Sequence, residues 1–126
     1  MDCILCHDPH KRAVLVKIKC GICHKDISER LRSNVHAKAG KMCIECHMPR
    51  ISKSAIQANS YTGDVRTHIF RINTDPDADM FEKIEENGEI ISFAKGFVTL
   101  DYVCLGCHGS RDRQWASRHA RKFHEQ

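Results

Sequence analysis

Four copies of one five-residue pattern, Cys-x-x-Cys-His, constrain this chain more than its length does. The pairs are Cys3 with Cys6, Cys20 with Cys23, Cys43 with Cys46 and Cys104 with Cys107, and each second cysteine is followed at once by a histidine: His7, His24, His47 and His108. No cysteine is left over. Histidine makes up only 9 of 126 residues, so four such adjacencies mark a repeated unit and not an accident of composition. A chain of this length would ordinarily close round one aliphatic core. Val, Ile, Leu and Phe, however, total 28 of the 126 residues, only a little above the level of about one-fifth below which chains tend to stay disordered. Something other than aliphatic side chains is expected to fill the interior.

The pattern itself names a filler. Two thiols separated by two residues can add across the vinyl groups of one haem from a single turn of backbone, and the next residue, histidine, then faces the iron as proximal ligand. The expectation is four haem c groups, attached through the eight cysteines, with His7, His24, His47 and His108 on the iron. Zinc is the competitor, since four Cys-x-x-Cys pairs would make two tetrahedral sites, but that reading leaves the four histidines unexplained. A thioredoxin-like redox pair would need one motif on a βαβ unit, and a disulfide scaffold wider and less regular spacing.

Five histidines remain: His10, His36, His68, His119 and His124. Four irons need four distal ligands for full bis-histidine coordination, and a carrier made only for electron transfer fills both axial positions. His68 leads, on an expected strand face, followed by His36 on a helix seven residues before Cys43. His10, just past Pro9, is expected to serve a neighbouring haem. Between His119 and His124 the preference goes to His119, on an expected apolar helical stripe. Met42 and Met48 are weighed as axial ligands and assigned packing roles, because each directly flanks a motif.

The chain divides into a three-haem front (1–48), an insertion without cysteine (49–103) and a single-haem end (104–126), all read as one domain. The expected fold is mostly irregular and α with a haem-dominated core, and a small β element between the third and fourth motifs. Ile27, Leu31 and Val35 predict a helix over 26–39, ended by Gly40. A strand is expected over 65–73 and a turn at Asp75-Pro76-Asp77; Asn87-Gly88 marks a second turn, followed by short strands around Gly96. Ser110 is expected to cap a helix over 110–124 on which Trp115, His119 and Phe123 share a face.

The formal charge is +4. Each haem would bring two propionates, so many Lys and Arg are expected as their counter-charges. No basic run is interleaved with aromatics, which argues against nucleic acid, and no apolar stretch approaches the roughly 18 residues of a membrane span. Covalent haem attachment is expected outside the cytoplasmic membrane, periplasmic or extracellular, so a targeting segment is expected to precede residue 1.

The four motifs, together with Cys6-His7-Asp8-Pro9-His10, Cys46-His47-Met48-Pro49 and Tyr102-Val103-Cys104, resemble the multihaem c-type cytochromes of anaerobic respiration. The resemblance covers about half the chain and implies electron transfer with other cytochromes or redox proteins. Small tetrahaem cytochromes that polymerise head to tail into conducting extracellular filaments are similar in size, haem count and histidine surplus. Pentahaem nitrite reductases share the Cys-His-x-Pro segment, but their catalytic haem carries lysine in place of the motif histidine, and no Cys-x-x-Cys-Lys occurs here. The expected role is therefore an electron carrier and not an enzyme, as a filament subunit, with a soluble periplasmic shuttle or the haem subunit of a multihaem reductase as the alternatives.

Overall fold

The computed structural model describes residues 3–8, 10, 20–52 and 62–125. Four short helices and four strands punctuate an otherwise irregular chain: α1 (Lys25–Leu31), α2 (Val35–Lys38), α3 (Cys43–His47), β1 (Arg50–Ser52), β2 (Val65–Arg66), β3 (Phe81–Glu86), β4 (Glu89–Ala94) and α4 (Arg113–Ala120). The strands form two separate two-stranded antiparallel sheets, β1 with β2 and β3 with β4. Both lie between the third and fourth motifs, where a β element is expected.

The helix expected over 26–39 is two helices. Ser33 Oγ donates to the Arg30 carbonyl, and Asn34 turns its side chain onto the His36 N–H at 2.9 Å. Short polar side chains that bond their own backbone compete with helix continuation, and Asn34 instead caps a new helix. Gly40, at φ 75°, does end the segment as expected.

The strand expected over 65–73 shrinks to Val65–Arg66. Gly63 lets it lie against β1, since a Cβ there would collide with the Ser52 carbonyl. Beyond β2 the chain runs on without a ladder until a single parallel bridge joins Ile72 to Val98. His68 thus lies past the strand, not on its face. The Asp75-Pro76-Asp77 turn forms, with the Asp75 side chain accepting from the Asp77 N–H at 3.0 Å. Asn87 and Gly88 take φ of 54° and 81°, the left-handed pair that a two-residue hairpin requires. This turn joins β4 to β3, a strand that the charged run Phe81–Glu86 does not announce. Around Gly96 there is no second strand; Val98 makes its one bridge and the chain enters a wide π-helical turn, Asp101–Leu105.

The last helix starts later and stops earlier than expected. Asp112, not Ser110, caps it, accepting from the Trp115 N–H at 2.7 Å, and after Ala120 only a single turn, Phe123–Glu125, follows. Its buried residues are Ala116 and Ser117. Small side chains let α4 sit close to the π-helical turn, Ser117 Oγ donates to the Thr74 carbonyl at 2.7 Å, and the shift of face leaves His119 exposed.

Only six apolar side chains among the described residues are buried: Met48, Pro49, Met80, Val98, Leu100 and Ala116. By contrast Ile4 and Leu5 within the first motif, Ile22 within the second, Val35, and Met42 beside the third are 60–77% exposed. No helix among the described residues is long and apolar enough to cross a membrane.

Candidate cofactor-binding site

Each motif folds into one helical turn. In the first, second and fourth, the histidine N–H donates to the carbonyl of the first cysteine, His7 to Cys3 at 2.8 Å, His24 to Cys20 at 2.9 Å and His108 to Cys104 at 2.9 Å. The third motif is itself α3. Helical spacing sets the two cysteines of a motif on one face and the histidine one residue further round. The pattern therefore yields the same local geometry four times, in four unrelated surroundings.

Tertiary folding then faces three motif histidines with three of the surplus ones. Ring centres of His7 and His68 are 6.0 Å apart, those of His36 and His108 6.0 Å, and those of His47 and His124 5.7 Å. Separations of about 4.5–7 Å are also those of ordinarily packed rings. Two imidazole nitrogens about 2 Å from one metal ion on opposite sides, with roughly 1 Å more from each nitrogen to its ring centre, give a separation of about 6 Å. The planes meet at 42°, 72° and 18° respectively, and each pair joins one motif histidine to one outside the motifs.

Hydrogen bonds and packing orient these rings. His47 Nδ1–H donates to the Phe70 carbonyl at 2.9 Å, which leaves Nε2 with its lone pair. His36 Nδ1 meets Asn34 Oδ1 at 3.2 Å, and Phe123 packs against the His36 ring at 5.1 Å. Burial, with His47 and Arg30 nearby, holds His124 below the usual histidine range and so favours its neutral form.

The second motif is different. His24 and Cys23 are exposed, and among the described residues no imidazole faces His24. His10 and His119 are the histidines left, both exposed. Of the two C-terminal histidines it is His124 that meets a motif histidine, His47, whereas the ring packed on His119 is Trp115, at 4.3 Å. His119 Nδ1–H donates to the Trp115 carbonyl at 2.8 Å, so its Nε2 also keeps a lone pair. Of the two methionines, Met48 is buried and Met42 exposed.

All eight cysteines are free thiols, with Cys3, Cys23, Cys43 and Cys107 exposed and Cys6, Cys20, Cys46 and Cys104 half-buried. They lie near one another in an order that follows the chain. Cys20 feels the Cys6 and Cys43 thiols and hydrogen-bonds with the latter, while Cys46 neighbours Cys104 and Cys107. Burial first, and these neighbours second, push the Cys20 and Cys46 thiols up and Cys104 to about 11. Among the described residues no three or more His, Cys, Asp or Glu side chains converge on one point.

Two arginines fix the third and fourth motifs, and nothing in the sequence pattern signals either. Arg66 Nη1 donates to the Ile44 and Met48 carbonyls at 3.0 and 2.9 Å, and Nη2 to Glu45 at 2.7 Å, clamping the open end of α3. Arg113 Nε donates to buried Asp101 at 2.8 Å and ties α4 to the turn that carries Cys104. No family model, characterised protein or solved structure matches the chain.

Proposed function

We propose that this chain carries four covalently bound haem c groups and transfers electrons along them, with histidine on both sides of the iron. The observation that carries the reading is the set of three facing imidazole pairs at 5.7–6.0 Å, each matching one motif histidine with one surplus histidine. When bound, haem supplies an iron that exchanges one electron between its ferric and ferrous states. The chain's own part is to anchor, ligate and space. Paired cysteines on one face of each turn hold the porphyrin edge, and His7 with His68, His36 with His108, and His47 with His124 supply axial nitrogens. Exposed Ile4, Leu5, Ile22 and Met42 offer apolar surface where a porphyrin would lie. At the three paired sites, filling both positions would leave no place for a substrate, which supports a carrier rather than an enzyme.

The sequence of thiol neighbours from Cys6 through Cys20 and Cys43, and from Cys46 to Cys104, favours a closely spaced row of haems. The second motif bears on assembly. His24 lacks a facing imidazole among the described residues while His119 exposes an oriented Nε2, an arrangement that suits a ligand passed between copies, as in a filament. His10 of the same chain is the alternative, and that arrangement suits a soluble shuttle. Either version works outside the cytoplasmic membrane.

Absorption of the purified protein tests the reading. Expected are a Soret band and about four haems per chain by the pyridine haemochrome, with a low-spin ferric resonance. A colourless protein containing zinc would overturn it, and native reduced protein that binds carbon monoxide at several irons would replace the carrier with an enzyme.

A further inference from the structure

The β3–β4 hairpin is built for a partner. A two-stranded hairpin is at best marginally stable alone, yet all of its strand residues but Ile91 are exposed. The register Glu82↔Phe93, Ile84↔Ile91 and Glu86↔Glu89 gathers these six side chains on one face. Ile84 and Phe93 are 45% and 50% exposed, with glutamates at both ends. Glu86 and Glu89 stand directly opposite each other, an arrangement that costs stability unless cations lie nearby. Two such faces repel one another, so the hairpins do not pair with themselves.

The complementary surface is on the same chain. Beside α4 lies an open depression of about 390 Å³ lined by Gly109, Ser110, Arg111, Asp112, Trp115 and Arg118. Arg111 lies over the Trp115 ring at 5.5 Å, and exposed Arg118, Arg121 and Lys122 continue the positive surface. An apolar ring flanked by cations thus mirrors apolar side chains flanked by glutamates.

We propose that the hairpin of one copy docks, by its Ile84/Phe93 face, into the Arg111–Trp115–Arg118 depression of a second copy. Donor and acceptor surfaces differ, so the contact is head to tail and leaves one of each free for further copies. It deepens the assembly part of the reading above and rests on it only in taking a second copy as partner; the contact itself needs no cofactor.

Sedimentation velocity of the full holoprotein tests it. Association is expected at about 50 mM salt and dissociation at about 0.5 M. The hairpin variant E82K/E86K/E89K and the depression variant R111E/R118E are each expected to associate about 100-fold more weakly, and an equimolar mixture of the two to recover association. Phe93→Ser, which changes no charge, is expected to weaken it about tenfold. A parent that stays monomeric at low salt, variants that associate like the parent, or a mixture that stays monomeric overturns the contact. Monomers with four haems would do so while leaving electron transfer intact, whereas a colourless protein that still associates would overturn electron transfer and leave the contact.

Discussion

The second and third motifs share one pattern and nearly one backbone turn, yet the molecule treats them differently. His47 is oriented by the Phe70 carbonyl, faced by His124 at 5.7 Å, and carried on a helix whose end Arg66 clamps. His24 sits exposed at the start of α1, its side chain capping nothing and faced by no imidazole among the described residues. A motif therefore specifies one turn that presents two thiols and an imidazole; whether that imidazole is faced by another depends on which distant segments fold over it. Segment 62–70 and the C-terminal turn lie against the third motif, through the Phe70 carbonyl and His124.

Breaking the third motif should give the largest effect. Replacing Cys43 and Cys46 by alanine is expected to remove one haem, a fall of about a quarter in haemochrome absorbance per chain; an unchanged value would remove the haem assignment there. His124→Ala should retain all four haems but turn one iron high-spin and open it to carbon monoxide, while His119→Ala should not do so in the dispersed chain. Electron paramagnetic resonance on both variants decides, and the reverse outcome would undo the contrast between the two sites.

Smaller effects sharpen it. Arg66→Ala strips three hydrogen bonds from the end of α3 and is expected to cost about 2–3 kcal/mol in thermal or denaturant unfolding. Arg66→Lys should recover only part, because an ammonium cannot reproduce the fork that reaches Glu45 and two carbonyls together. Asn34→Ala removes the cap of α2 and the partner of His36 Nδ1, for about 1 kcal/mol. A loss confined to the His36–His108 site, with the second motif unaltered, is the expected spectroscopic mark.

What can be read from the chain follows the range of the interactions involved. The turn at Asn87-Gly88 is legible because left-handed φ at two successive residues needs those side chains. The break at Ser33-Asn34 hides behind the four-residue apolar spacing that spans it, although its cause is equally local. β3 gives no such signal because Phe81–Glu86 is exposed along its length, so no buried face imposes an alternation. The preference for His119 rests on a stripe that assumes a helix to residue 124; the helix stops at Ala120 and buries Ala116 and Ser117 instead.

The sequence by itself determined that four like turns exist and which twelve side chains they present, because thiols, imidazole and one helical turn are all fixed within five residues. It also bounded the imidazoles that could face the motif histidines to five. Only the tertiary structure matched His68 to His7, His36 to His108 and His124 to His47, and brought Arg66 onto α3. Those partners lie far apart along the chain, and no local pattern records a distance that is set by the packing of everything between.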